Sequence, residues 1–162
     1  KLKKVLKFDK RNGFITVESG IQWPDLINFL VKKQKSSRKQ WAIAQKQTGA
    51  DKLCLGGTIS ANAHGRGLKM KPIINDVESF TLVNYKGELI TCNRKKNYEL
   101  FRLVIGGYGV FGVIYSITLR LVKRKKMQRV VRIIKIKDVS HYFKKRIRDG
   151  FDYGDFHMLL AY

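Results

Sequence analysis

Leu55 to Gly67, reading Leu-Gly-Gly-Thr-Ile-Ser-Ala-Asn-Ala-His-Gly-Arg-Gly, constrains the fold more than any other stretch, because small side chains dominate where a packed core would want Leu or Phe. Something approaches this backbone closely. Gly56 and Gly57 sit just before a short helical stretch and can offer free amides, while Thr58, Ser60 and Asn62 add neutral hydrogen-bonding groups, a chemistry suited to a phosphate or a polar ring edge. His64 lies between small residues and glycines with no Ser nucleophile motif or carboxylate beside it, so both a hydrogen-bonded structural role and acid/base work are open to it. Arg66 can hold an anion or face water.

Gly107-Tyr108-Gly109-Val110-Phe111-Gly112 matches G-x-G-x-x-G, yet the dinucleotide meaning of that pattern needs a strand before it and a helix after it. Here a helical pattern precedes and a β-branched run follows, so a Rossmann reading is disfavoured. Two readings of Gly106 to Gly112 stand side by side: a tight, bulged lead-in to a strand, or backbone left bare for a flat or anionic ligand.

The remaining elements follow from periodicity. Val5–Phe8 and Phe14–Val17 flank a turn-rich Asp9 to Gly13 and predict a hairpin. Pro24 suits the first turn of a helix carrying Leu26, Ile27, Phe29, Leu30 and Val31 on one face, ending in the solvated basic run Lys32 to Lys39. Glu78–Val83 and Glu88–Cys92 predict a second hairpin, and Asn97–Val104 a helix. Val113–Val122 alternates as a strand with one buried face, with Ile114, Ser116, Thr118 and Arg120 set against Val113, Tyr115, Ile117, Leu119 and Leu121. Arg124-Lys125-Lys126 then marks a subdomain boundary. Beyond it, Val130–Lys137 predicts another strand, Asp138 or Ser140 can cap a helix to about Arg148, and Phe156–Tyr162 begins a further strand. The fold class is α+β: residues 1–123 form one domain, and 124–162 begin a second.

Composition narrows the partners. The 162 residues carry 34 Lys plus Arg against 12 Asp plus Glu, a formal charge of +22, so an anionic partner is expected. Cys54 and Cys92 lie apart without a C-x-x-C or a His cluster, which argues against a disulfide scaffold or zinc module, and no metal is expected. The apolar runs are shorter than the roughly 20 residues a bilayer span needs. With no signal in the visible residues, the expected compartment is the cytoplasm, membrane association left open. Lys1 in place of Met implies a chain that starts inside a longer one.

Taken in order, these residues resemble the FAD-binding domain of the vanillyl-alcohol oxidase and p-cresol methylhydroxylase superfamily, the PCMH type. Val17 to Leu26 is similar to the family's V-x-x-G-x-x-W/L-x-x-L strand and helix, and Leu55 to Gly65 to its V-G-G-x-I-x-x-x-x-H-G flavin-contacting segment. Val77-Glu78-Ser79-Phe80 with Tyr85-Lys86-Gly87-Glu88, and Glu99-Leu100-Phe101 through Gly112-Val113-Ile114, continue the likeness to about residue 123. The resemblance implies FAD held between two α+β subdomains. Its implied contacts are Gly49, Cys54, Leu55, Gly56, Gly57, Thr58, Ser60, Ala61, Asn62, Ala63, His64, Gly65 and Gly112, with Ile114 closing on the nucleotide.

The form Ala63-His64-Gly65 is nearest to the branch holding the decaprenylphosphoryl-ribose and sugar-lactone oxidases, which implies oxidation of an alcohol carbon by hydride transfer to flavin N5, with a separate electron acceptor. The family's first pyrophosphate loop would precede Lys1, and most of its substrate domain would follow Tyr162, so no catalytic residue is named. His64 is not at the position of covalent attachment, which implies non-covalent FAD. The rival reading is a basic module for nucleic acid or an anionic surface, without catalysis. Its weakness is that the cations spread along the chain while Phe and Tyr fall at core spacings, so no specific nucleic acid is expected.

Overall fold

The first hairpin forms as its turn chemistry dictates. In a computed structural model describing residues 2–47 and 49–158, β1 (Val5–Asp9) pairs antiparallel with β2 (Phe14–Glu18). The Asp9 carboxylate accepts from the backbone N–H groups of Arg11 and Asn12 and from the Asn12 side-chain amide. Those bonds, the Asn12 side chain first, hold its carboxyl below the usual carboxylate range. Gly13 closes the turn at φ +73°, and a Cβ there would meet the Trp41 ring at 2.6 Å.

Helix α1 (Trp23–Lys33) has Pro24 in its first turn and buries Trp23, Leu26 and Leu30. Val31, expected on the same face, is exposed, since it lies about 100° around the helix from Leu30. The helix ends at Lys33, inside the expected Lys32–Lys39 run. Buried Gln34 explains where: its side-chain amide donates to the carbonyls of Leu30 and Trp41, and its Oε1 accepts from the Trp41 N–H. The chain is thereby folded back into β3 (Trp41–Ala42), leaving Lys35, Arg38 and Lys39 in water.

After the short helix α2 (Leu55–Ser60) come β4 (Val77–Val83), β5 (Leu89–Asn93), helix α3 (Tyr98–Val104) and β6 (Val113–Arg120). Among the described residues the main sheet is five-stranded, in the order β1-β2-β6-β4-β5, with every neighbouring pair antiparallel. Past Leu121 the expected long strand breaks, and β7 (Val122–Lys123) pairs with β3 as a separate ribbon. Helix α4 (Val139–Arg148) completes the described elements. The mixture of helices and an antiparallel sheet is the expected α+β class.

The β4–β6 pair shows why simple alternation along Val113–Val122 fails. Ile114 and Ser116 are buried at one end and Ile117, Leu119 and Leu121 at the other, so the buried parity switches in mid-strand. Two register shifts cause it. Val77 pairs with Leu119, Phe80 with Ile117 and Leu82 with Ile114, so β4 takes an extra residue between Val77 and Ser79 and β6 takes one between Ile114 and Ser116. Each bulge re-aims the side chains beyond it, and together they keep apolar residues opposite one another. Phe80 stacks on Phe101 with ring centroids 5.5 Å apart, which ties α3 to the sheet.

Beyond β7 the sequence expectations fail in part. Residues 130–135 form no strand, and Ile136–Asp138 is a 3-10 turn leading into α4. The β-branched composition is present, yet no described segment pairs with it, and an unpaired strand has no ladder to satisfy its backbone. Phe156–Met158 is likewise without strand structure, and the rest of that expected strand, residues 159–162, lies outside the described residues.

Phe101 is fully buried, so Phe101→Ala is expected to cost about 3–5 kcal/mol, read as a fall in the denaturation midpoint. A loss under about 1 kcal/mol would mean that the Phe80–Phe101 stack is not central to the core.

Candidate functional site

Helix α2 starts at a cysteine. Cys54 takes the N-cap position with extended backbone, and its Sγ accepts from the Gly57 N–H at 3.3 Å. The next two amides are also engaged: Leu55 N–H donates to the Ile21 carbonyl at 2.9 Å and Gly56 N–H to the Ser19 carbonyl at 2.7 Å. The expectation of free amides at this helix start is therefore corrected. They fasten α2 to the β2–α1 turn, so this helix end presents no cradle of bare donors to an anion.

The two adjacent glycines differ in role. A Cβ on Gly56 would lie 3.0 Å from Ser19 Cβ and 3.2 Å from its carbonyl oxygen, whereas one on Gly57 would meet only Cys54 Sγ, at an ordinary 3.4 Å. Gly56 is bare for packing; Gly57 is bare facing outward. Gly57 and Ala61, four residues apart, share one helix face, and both are exposed. Leu55 and Thr58 point the other way: Leu55 is in the core, and the buried Thr58 hydroxyl donates to the Cys54 carbonyl at 3.0 Å. These two, expected as cofactor contacts, have their side chains turned inward.

The second glycine cluster docks on the end of this helix. Gly106 N–H donates to the Ile59 carbonyl and Tyr108 N–H to the Ser60 carbonyl, each at 3.0 Å. The loop thus borders the Gly57–Ala61 strip with Tyr108, which is 79% exposed at φ +50°, and Val110, 80% exposed. It runs from α3 into β6, the order opposite to a dinucleotide fingerprint. Gly107 and Gly112 serve close packing, since a Cβ would fall 2.2 Å from the Leu103 carbonyl or 2.4 Å from that of Val83. Ile114, expected to close on a nucleotide, is buried in the core opposite Leu82. Its side chain is already covered by protein.

Asn62 ends α2 in the left-handed region at φ +44°, and its Oδ1 accepts from the Ile74 N–H. Asn directly after a helix is a known C-terminal signal, so this cap was readable in the sequence. Ala63 links the same segments through its N–H to Thr58 and its carbonyl to Ile73. His64 is exposed with Nδ1 3.0 Å from the Gly65 carbonyl oxygen. Gly65 packs against Lys46 and Gln45, with a Cβ position 2.8 Å from the Lys46 carbonyl. Gly49 is exposed at φ +79° with no atom near its Cβ position, apart from the strip in sequence.

Gln45 is the residue sequence reasoning missed. Buried, it accepts from the Gly65 N–H and donates to the Lys71 carbonyl, cross-linking three segments around the small-residue stretch. No periodicity announces such a residue, because its partners are backbone groups brought in by folding. A neighbouring cavity of about 330 Å³ is lined in part by Gln45, Lys46, Arg66 and Tyr153. Its cations are already paired, Lys46 with Asp51 and Arg66 with Asp155, so the anion-holding reading of Arg66 gives way to an ion pair.

Residues 1–93 match the family described as the FAD binding domain. The chain is 34% identical to cytokinin dehydrogenase 1 of Arabidopsis thaliana over 76% of its length and 20% of that protein. It is 30% identical to the mitochondrial L-galactono-1,4-lactone dehydrogenase of the same plant over 88% of its length and 22% of that protein. L-gulonolactone oxidase of Bos taurus is 29% identical over 79% of this chain and 28% of its own. The chain therefore spans between a fifth and three tenths of these curated relatives. Among solved structures, alkyldihydroxyacetonephosphate synthase shares the fold, with TM-score 0.63 at 20% identity over 75% of this chain and 21% of that one.

Two outcomes are expected from the site's supports. Cys54→Ser retains the α2 cap, while Cys54→Ala loses about 0.5–2 kcal/mol in chemical denaturation; equal stability of the two would show the cap to be idle. Burial pushes the Asp76 carboxyl up, against hydrogen bonds from Gln45 and Asn75 and the charge of Arg120. A folded-state value above 3.8 means that folding favours the protonated acid, so this contribution is full at low pH and is lost as pH rises through the folded value. Asp76→Asn should accordingly gain stability over the parent as pH rises from about 3 to 7, measured by thermal denaturation.

Proposed function

Since this chain belongs to the FAD binding domain family of the PCMH type, whose cofactor is FAD, we propose that it forms the flavin-holding part of an oxidoreductase acting on an alcohol carbon of a sugar or sugar lactone. The observation that carries the reading is the outward-facing Gly57. It has no packing need for a bare Cα, and with Ala61 it makes a strip where a flat ring can reach the backbone.

The residues present fit such a group. Gly57, Ser60 and Ala61 would lie against it, the Tyr108 loop would border it, and exposed His64 lies at the end of the same run. FAD, when bound, supplies an acceptor for the hydride leaving the alcohol carbon. The chain's own contribution is to keep side-chain bulk off one helix face and to hold the Gly106–Gly112 loop beside it through the Ile59 and Ser60 carbonyls. In the neutral ring, His64 Nδ1 donating to the Gly65 carbonyl leaves Nε2 as a hydrogen-bond acceptor.

Sugar-lactone chemistry is supported by the names of two relatives, L-galactono-1,4-lactone dehydrogenase and L-gulonolactone oxidase. The proposal keeps FAD non-covalent and divides the chain at 123/124. β7 ends at Lys123 and neither helix nor strand follows until the 3-10 turn at Ile136, which supports that division.

The test is the visible spectrum of the protein expressed from its complete reading frame, with the flavin released on denaturation. Gly57→Leu should lose the flavin while the denaturation midpoint holds or rises, because Gly in a helix interior costs roughly 1 kcal/mol. Gly56→Leu should instead destabilise the fold. A Gly57→Leu protein that stays yellow would overturn the assignment of the strip. Turnover of sugar lactones or sugar alcohols, with cytokinins as the contrasting substrate class, then tests the chemistry.

A further inference from the structure

A buried side-chain amide has to find acceptors for its nitrogen and a donor for its oxygen. Gln45, 8% exposed, finds both: Nε2 donates to the Lys71 carbonyl at 2.6 Å and reaches Oδ2 of Asp76 at 3.5 Å, while Oε1 accepts from the Gly65 N–H at 3.1 Å. With two acceptors facing Nε2 and a backbone donor facing Oε1, the amide is satisfied in this orientation alone. The charged and titratable groups around it are Asp76, with the charge of Arg120 acting on that carboxylate, and Lys46, Arg66 and Tyr153 on the cavity that Gln45 helps to line. Gln45 and its three partners all lie within the residues that match the FAD binding domain, and further protein can only bury the amide more deeply.

The effect of this amide falls on Gly65 and, through it, on His64. A Cβ on Gly65 would lie 2.8 Å from the Lys46 carbonyl oxygen and 3.1 Å from Gln45 Oε1, so Gly65 is bare because Gln45 and its neighbour fill that place. The bond from the Gly65 N–H fixes the peptide plane between His64 and Gly65. The next carbonyl, that of Gly65, lies 3.0 Å from His64 Nδ1. Gln45 is thus two hydrogen bonds away from the imidazole. Packing does not account for an amide here, since an apolar side chain of the same length would fill the space without holding the peptide.

We propose that Gln45 is a positioning residue of the flavin site, holding the His64–Gly65 peptide so that the His64 ring meets the bound cofactor in one orientation. This rests on the reading of residues 55–65 as the flavin-contacting run. Gln45 itself touches no cofactor; it acts through the Gly65 backbone.

The test measures FAD affinity and the thermal midpoint of the protein expressed from its complete reading frame. Gln45→Glu keeps the acceptor for Gly65 but sets a carboxyl against the Lys71 carbonyl and Asp76. At roughly pH 5 burial and the facing carboxylate keep a proton there that replaces the Nε2 donor, and at about pH 8 two carboxylates face each other and the contact opens. Against the parent at the same pH, affinity for FAD should be unchanged at the lower pH and about fivefold weaker at the higher, reversibly and in a folded protein. Gln45→Met should lose about as much at both. In a His64→Ala background Gln45→Glu should change the affinity less than about twofold, because effects that pass through one residue do not add. A yellow parent whose affinity ignores Gln45→Glu at the higher pH, or effects of Gln45→Glu and His64→Ala that simply add, would overturn the positioning role alone. So would a variant that unfolds at the higher pH, which would show Gln45 to be structural only. A parent that binds no FAD would overturn the flavin reading and this inference with it.

Discussion

Two hydrogen bonds, from Leu55 N–H to the Ile21 carbonyl and from Gly56 N–H to the Ser19 carbonyl, set the position of everything that matters around α2. They require the helix to meet the β2–α1 turn at a distance that leaves no room for a Cβ on Gly56. Once that face is pressed inward, α2's rotation is settled: Leu55, Thr58 and Ile59 point into the protein, and Gly57 and Ala61 point out. The helix is too short to hold its place by propensity, so its cap and these contacts do that work. The same bonds occupy the amides that a phosphate would have used. The bare flank of the helix accordingly faces outward, and its amino end is closed.

The sheet contributes by supplying a floor that does not shift. Compensating bulges in β4 and β6 keep Val77, Phe80 and Leu82 opposite Leu119, Ile117 and Ile114, and Phe101 packs on Phe80 from α3. Because α3 is fixed in this way, the glycine loop that leaves it reaches the carbonyls of Ile59 and Ser60. The border of the strip thus depends on core packing some way from it.

Much of this was readable in advance. Asp9 to Gly13 spelled a turn, Pro24 a helix start, and the two hairpins and the helix–glycine–strand order of residues 97–122 appear where periodicity put them. Glycine-rich sequence signals bare backbone, but the reason for the bareness differs from one glycine to the next. Gly56, Gly107 and Gly112 are bare because another part of the chain comes close, and Gly57 because nothing does. Composition cannot separate these cases, since both look like a missing side chain. The 130–135 segment failed in the other direction: β-branched residues signal a strand, and a strand exists only where a partner backbone is within reach.

The sequence by itself determined the local chemistry: turns, caps, the order of elements, the bareness of residues 55–67 and the family resemblance those residues carry. Tertiary structure decided orientation, meaning which glycine faces inward, which parity of β6 is buried on each side of its bulge, and that Gln45 and Gln34 become buried cross-links. The physical reason is that local signals act over a few bonds along the chain, while close approach, register and hydrogen-bond closure depend on which distant segment arrives at a given backbone atom.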